Sequence, residues 1–365
     1  MVRRADTPNT FIEEKVMAIK SLAIKYRPKT WEDVSEQSST KLILQQQLQS
    51  GEVKNAYLFC GPAGCGKTTC ARIFANDINH GEGNPIELDA ASNNGVDDVR
   101  EIINQAKTKS LDSEYKIFII DECHALSNSA WQAMLKIIEE PPAKSIFIFC
   151  TTDPQKIPKT ILSRVQRYDF QRISQNGVVD RLLYILSEEN EIDDGERGIS
   201  AEAVEYIAKI ADGGMRDAIT LMDKCLAYSK DLTLENVVKA LGTTDYDTMF
   251  KLTDRLIYNK ADAAIQIIEE LYNSGKDLKT FVKQYVQFLL DLDKYGIGCD
   301  WKYLQLPRLK EYEDWLKECD DNIFQSIEDW LSVFINLHAD IKWSQSVKYD
   351  IESAVILACE SWRDK

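Results

Sequence analysis

Gly61-Pro62-Ala63-Gly64-Cys65-Gly66-Lys67-Thr68 constrains this chain more than any other stretch in it. The run follows a short apolar segment, Ala56–Cys60 (AYLFC), and precedes a helix-compatible one that begins with Thr69. It fits the pattern G-x-x-x-x-G-K-[ST] set between a strand and a helix, the context in which that pattern carries chemistry. Glycines let the backbone turn so that its N–H groups point at the β- and γ-phosphates of a nucleotide. The helix N-terminus that follows adds positive potential. Lys67 then neutralises phosphate charge, and the Thr68 hydroxyl is a ligand for Mg2+. Such a turn belongs in an α/β sheet, and the flanking sequence agrees.

Further apolar runs stand at Ile86–Asp89, Lys116–Ile120 (KIFII) and Ile146–Thr151 (IFIFCT), with a last short one at Arg167–Phe170. Polar, helix-compatible stretches such as Asn128–Glu139 separate them. Strands alternating with helices imply a parallel sheet covered on both faces. The run Ile117–Ile120 delivers Asp121 and Glu122 at its C-terminal end, the edge at which open α/β sheets bind ligands. Asp121 is placed to hold Mg2+, directly or through water, and Glu122 to polarise an attacking water. His124, two residues on, has no evident chemical task and reads as a structural or surface group.

From about residue 175 the β signal stops. Leu182–Ser187, Ala201–Ala211, Met215–Leu226 and Leu234–Leu241 have the three- and four-residue apolar spacing of short amphipathic helices. After about residue 244 the helices lengthen and Trp301, Trp315, Trp330, Trp343 and Trp362 appear, read as core anchors. The expected organisation is an extension over 1–20, an α/β domain over 21–174, a helical lid over 175–243 with a joint near Gly242, and a larger helical domain over 244–365.

Charge divides along the same line. Residues 1–174 carry 22 Lys+Arg and 22 Asp+Glu; of chain totals of 44 and 59, this leaves 22 and 37 for the remainder. The net charge of −15 is therefore C-terminal, and it neither excludes nor supports DNA contact by the first half. Nine scattered cysteines without a C-x-x-C spacing, and three histidines, argue against a zinc site or a disulfide framework. The charged N-terminus without an apolar core gives no secretory signal, and no apolar run spans a bilayer, so the expected location is cytoplasmic with no membrane partner.

Several segments taken together carry a resemblance. They are LAIKYRPKTWEDVSEQ (22–37), the glycine-rich turn, ELDAASNNGVDDVRE (87–101), DECH (121–124), EEPP (139–142), FCTTDPQKIPKTILSR (149–164) and GGMRDAITLMDK (213–224). In this order they resemble the gamma/tau-type clamp-loader ATPases of the AAA+ class, over roughly residues 22–243. The resemblance implies an AAA+ P-loop domain, a helical lid and a C-terminal helical collar. It implies ATP and Mg2+ as ligands, with Thr68 and Asp121 on the metal. Ala23, Tyr26, Arg27, Pro28 and Val34 would line the adenine pocket, and Thr69 would join the P-loop residues. Thr152 would sense the γ-phosphate, and Arg216 would reach back to the nucleotide from the lid. Arg164, in Ser163-Arg164, would enter a neighbouring subunit's ATP site. Implied partners are other loader subunits in a pentamer, a sliding clamp, primer–template DNA and a replicative polymerase.

The chain departs from that family in three places. The four-cysteine zinc module usual in bacterial members has no counterpart in the short span Arg72–Pro85, so no zinc is expected, which suits a divergent or phage-encoded member. Val165 stands where the family has the cysteine of Ser-Arg-Cys. Asn93, Asn94 and Gly95 stand where basic residues often follow the Ala-Ala-Ser element, leaving Arg100. Two other functions use the same fold. A DNA translocase or branch-migration motor would normally add a DNA-reading module, which the acidic C-terminus lacks. A non-hydrolysing scaffold subunit would tend to lose Lys67, Thr68, Asp121 or Glu122, all present here.

Overall fold

The computed structural model describes residues 21–193, 198–241 and 246–363. The expected extension over 1–20 and the joint at Gly242 lie outside those residues.

Five strands form one parallel sheet: β1 (Ala56–Cys60), β2 (Ile86–Asp89), β3 (Lys116–Asp121), β4 (Ser145–Thr151) and β5 (Gln166–Asp169), in the order β2-β3-β4-β1-β5. Strands β1 and β4 are buried along their whole length. That is why they read as unbroken apolar runs and not as alternating ones. Alternation is present all the same, in which layer each side chain joins. Leu58, Phe118, Ile120, Phe147 and Phe149 pack with Val99, Ile102, Trp131 and Met134 from the helices Val96–Ala106 and Asn128–Glu139. Tyr57, Phe59, Ile117, Ile119, Ile146 and Ile148 face the other way, onto Leu44, Ile73 and Phe74 of the helices Ser38–Ser50 and Lys67–Ile78.

Strand limits shift by one residue from those expected. Asp121 belongs to β3 and pairs with Asp89, so its carboxylate sits at the end of the ladder and not beyond it. Phe170 falls just past β5, although its N–H still donates to the Cys60 carbonyl at 2.7 Å.

A second core, without strands, gathers Val178, Leu182, Ile185, Val204, Ile207, Ala218, Met222 and Val237. Its first helix runs Gln175–Asp193, well beyond the expected Leu182–Ser187. The added turns are rich in Gln, Asn, Gly and Glu, with Val178 as the fully buried residue that extends the Leu182–Ile185 spacing toward the N-terminus. The others are Ala201–Ile210, Met215–Tyr228 and Leu234–Leu241. Ile199 and Leu232 form an isolated parallel bridge, a β contact within a region read as helical.

The third core is built on Leu278–Gly296 and Asp321–Asp340, with Tyr285, Phe288, Trp330 and Phe334 at its centre. The tryptophans do not share one role there. Trp330 is fully buried, with its indole N–H donating to the Ala358 carbonyl at 2.9 Å. Trp301 and Trp315 pack on the rim of the core. Trp343 is not an anchor at all: at 87% exposure it stands in solvent, on a short turn (Ile341–Trp343) past the end of the long helix. The Trp362 side chain lies outside the described residues. Among the described residues no helix is long and apolar enough to cross a membrane.

Candidate nucleotide-binding site

The glycine-rich turn leaves β1 and enters the helix Lys67–Ile78 under close constraint. A Cβ on Gly61 (φ +152°) would lie 2.5 Å from the Phe170 carbonyl oxygen. One on Gly64 (φ +70°) would lie 3.1 Å from the Gly214 Cα. Both positions require glycine on space as well as on backbone angle. Gly64 also accepts a hydrogen bond from the Met215 N–H at 3.0 Å, which ties the turn to the start of the helix Met215–Tyr228.

Lys67 is 5% exposed, and its ammonium donates to the carbonyls of Gly61 and Pro62 at 2.8 and 2.7 Å. Cys65 is packed inside the turn, with its thiol on the Pro62 carbonyl at 3.0 Å; burial pushes that thiol up, making it a poor nucleophile. All nine cysteines are free. Thr68 Oγ1 donates to Asp121 Oδ2 at 2.8 Å, bringing two hard oxygens together at the end of β3. A hydroxyl and a carboxylate so placed are the donor set that suits Mg2+ with phosphate oxygens completing its shell.

Glu122 follows in the left-handed region (φ 45°), which turns its side chain away from the strand direction. Its Oε2 accepts from Thr152 Oγ1 at 2.9 Å and lies 3.2 Å from His124 Nδ1. Thr152 therefore meets the nucleotide region through Glu122 and is not itself on the cleft wall.

The cleft between the turn and the second core holds about 590 Å³. Ala63, Gly64, Cys65, Gly66, Lys67, Thr68 and Thr69 form its floor, with Asp121 and Glu122 at one end. Ala23, Tyr26, Arg27, Pro28 and Val34 also line the cleft. That segment is pinned to the helices Lys67–Ile78 and Ser38–Ser50: the Trp31 indole donates to Asp77 at 2.7 Å, and Lys41 donates to the Val34 carbonyl at 2.8 Å. Arg216, from the second helical core, lines the same cleft.

Of the predicted site residues, Gly61 and Pro62 serve as acceptors for Lys67 behind the floor. Arg164 is elsewhere: its guanidinium pairs with Glu139 of the EEPP segment at 2.7 Å, donates to the Thr160 carbonyl at 2.7 Å, and stays part-exposed.

Sequence reasoning missed Arg181, Ile173 and Met215 on the cleft wall. Arg181 donates to the Tyr26 carbonyl at 3.1 Å and lies over the Tyr184 ring. Burial works against the charged form of Asp33, also on the wall. Donors from Thr30 and Lys29, with the charge of Arg181, nevertheless hold its carboxyl below the usual range. Nothing local in the sequence marks Arg181; it is one arginine on a helix with no motif.

Three family matches run in order along the chain. Residues 84–174 match DNA polymerase III, delta subunit; 178–231 match the ATPase lid domain of a DNA polymerase III clamp loader subunit; 232–311 match domain III of subunits gamma and tau. Among curated proteins, the DNA polymerase III subunit tau of Bacillus subtilis is 33% identical over 94% of this chain and 64% of its own length. The gamma/tau subunit of Mycobacterium tuberculosis is 34% identical over 73% of this chain and 50% of its own. The Arabidopsis thaliana protein STICHEL-like 1 is 31% identical over 75% and 26%. The chain thus spans from half to just under two thirds of the length of the polymerase subunits it matches. A solved Thermotoga maritima RuvB variant overlays with a TM-score of 0.50 at 20% identity, covering 81% of this chain and 99% of that one, a likeness of fold. The sheet order, the lid and the ordered matches give one answer: this chain has an AAA+ P-loop fold and is a gamma/tau-like relative of the DNA polymerase III clamp-loader subunits.

Proposed function

We propose that the chain is an ATP-hydrolysing motor subunit of a sliding-clamp loader, with ATP and Mg2+ as its ligands. The observation that carries this is a division of labour in space. Lys67, Thr68, Asp121, Glu122 and Arg216 meet on one cleft, whereas Arg164 sits outside it on an exposed face. A chain that supplies all but one of its charge-stabilising groups is suited to a site completed by a neighbour.

In this reading the glycine-rich turn and the helix N-terminus cradle the phosphates, and Lys67 exchanges its carbonyl partners for phosphate oxygens. Bound Mg2+ supplies a positive charge that offsets charge gathering on the transferring phosphoryl group. Thr68 and Asp121 hold the metal, and Glu122 takes the proton of the attacking water. Arg216 reads the nucleotide from the lid, and the backbone bond between Met215 and Gly64 passes any change in the turn to that lid. Arg164 of one subunit stabilises charge in the next. ATP would thereby favour the assembled state through differential affinity.

The wider reading places this subunit in a pentamer with other loader subunits, opening a clamp on primer–template DNA beside a replicative polymerase, in the cytoplasm. The two clusters on the faces of the sheet, the lid cluster (which Leu22 also joins) and the C-terminal cluster support a division at 21–174, 175–243 and 244–365, the last as an oligomerisation collar. Steady-state ATPase with and without primed DNA and a sliding clamp tests the function. Stimulation by both together supports a loader. A rate indifferent to the clamp but raised by DNA alone points to the translocase reading, and absence of hydrolysis under every condition to a scaffold.

A further inference from the structure

We infer that His124 is a positioning residue for Glu122, setting the carboxylate that works on the attacking water. The inference deepens the proposed ATPase reading and rests on it.

The short turn Cys123–Ala125 carries His124 back toward β4, where the imidazole is mostly enclosed, with a side chain 20% exposed. Its Nδ1 lies 3.2 Å from Glu122 Oε2 and 3.2 Å from Thr151 Oγ1. Which tautomer is present follows from its neighbours. A carboxylate offers only acceptors, so an unprotonated Nδ1 would set two lone pairs against each other at 3.2 Å. A hydrogen on Nδ1 therefore bonds Thr151 Oγ1 and lies beside the charged oxygen of Glu122, which its positive end stabilises. Thr151 Oγ1 is itself fixed, since it accepts the Asp153 N–H at 3.0 Å and its residue is fully buried. The imidazole is thus braced on a rigid strand end.

The Thr152 hydroxyl donates to one carboxylate oxygen, and His124 Nδ1 lies 3.2 Å from that same oxygen. Among the described residues, the other oxygen of Glu122 takes no hydrogen bond from the protein, while Glu122 lines the cleft. One oxygen is held and the other is left for a water. The left-handed backbone at Glu122 makes such bracing useful, because the side chain leaves the strand at an angle that the ladder does not define. Misplacing a base by a fraction of an ångström to an ångström lowers rate without touching substrate affinity.

The test uses the full chain and reads two quantities: single-turnover hydrolysis of Mg2+-ATP, and the Kd for a fluorescent ADP analogue. His124→Leu keeps the volume but removes the donor, and is expected to lower the hydrolysis rate about tenfold or more at an unchanged Kd. His124→Asn sets an amide where the Nδ1 edge stood and is expected to recover most of the rate. In a Glu122→Gln background His124→Leu should have little further effect, because its action passes through that carboxylate. Full activity in His124→Leu, an equal loss in the Asn variant, or an undiminished loss in the Glu122→Gln background would each overturn the inference. A raised Kd or lower melting temperature alongside the rate loss would also overturn it, as the sign of packing alone. Failure of the underlying reading looks different: Glu122→Gln would then hydrolyse ATP as fast as the wild type.

Discussion

The sheet region and the C-terminal helical region are each packed around a continuous buried core, yet they differ in what their residues must do. In the sheet, β1 and β4 are buried throughout, and the strand ends facing the cleft carry the site's polar groups: Asp121 as the last residue of β3, Thr152 after β4, the glycine turn after β1. Chemistry dictates residue type there, and spacing along the chain dictates position. In the C-terminal region the aromatic contacts serve packing, such as Phe250 against Tyr312 at 4.6 Å and Tyr285 against Phe334 at 4.8 Å between ring centres. Side-chain volume is the main demand there, with a few buried polar groups such as Asp291 fixed by hydrogen bonds. The comparison teaches that the sheet region loses function on single polar changes at its strand ends, whereas the C-terminal region loses stability when core volume is removed.

The largest expected effect sharpens that contrast. Glu122→Gln should cut hydrolysis by roughly 10²–10⁴-fold, the usual contribution of a positioned acid or base. Nucleotide affinity and melting temperature should hardly move, since Glu122 is a part-exposed wall residue. Trp330→Ala should do the opposite, costing about 3–5 kcal/mol in denaturant unfolding of the C-terminal region through the large cavity it leaves. A C-terminal core that shrugged off this change would break the comparison.

Smaller effects test its edges. Arg181→Ala should weaken ADP binding a few-fold in a fluorescence titration, in line with about 1 kcal/mol for a single hydrogen bond that holds the Tyr26 carbonyl. Unchanged affinity would remove Arg181 from the account of the base end. Trp343→Ala, at an 87% exposed position, should stay within about 0.5 kcal/mol in the same unfolding assay. A loss comparable to that of Trp330→Ala would mean that this indole is covered in solution.

What was legible in the sequence follows from the same contrast. Lys67, Thr68, Asp121 and Glu122 could be found because phosphate and metal chemistry allows few residue types at few spacings. Strands β1, β3 and β4 could be found because buried parallel strands are apolar on both faces, whereas the edge strands β2 and β5 are short and partly exposed. Arg216 was legible only through a motif, since no local rule says that a lid helix turns an arginine toward a distant cleft. Arg181 and Ile173 had no such motif, and their place on the wall depends on how the lid packs against the glycine turn through Gly64 and Gly214. His124 was read as a bystander because nothing in DECH says that the turn folds the imidazole back onto the glutamate two residues before it. Trp343 was read as a core anchor on residue type alone, and its position after a helix end decided otherwise.

The central claim is that this chain binds ATP in its own cleft but needs Arg164 from a neighbour to hydrolyse it. The most direct test is Arg164→Ala in the assembled complex, measuring nucleotide affinity and clamp- and DNA-stimulated hydrolysis on the same preparation. The account predicts an unchanged Kd, because Arg164 lies outside the cleft of its own chain, together with a loss of stimulated hydrolysis. Stimulated hydrolysis that survives the substitution, or an affinity that falls in the isolated chain, would contradict it.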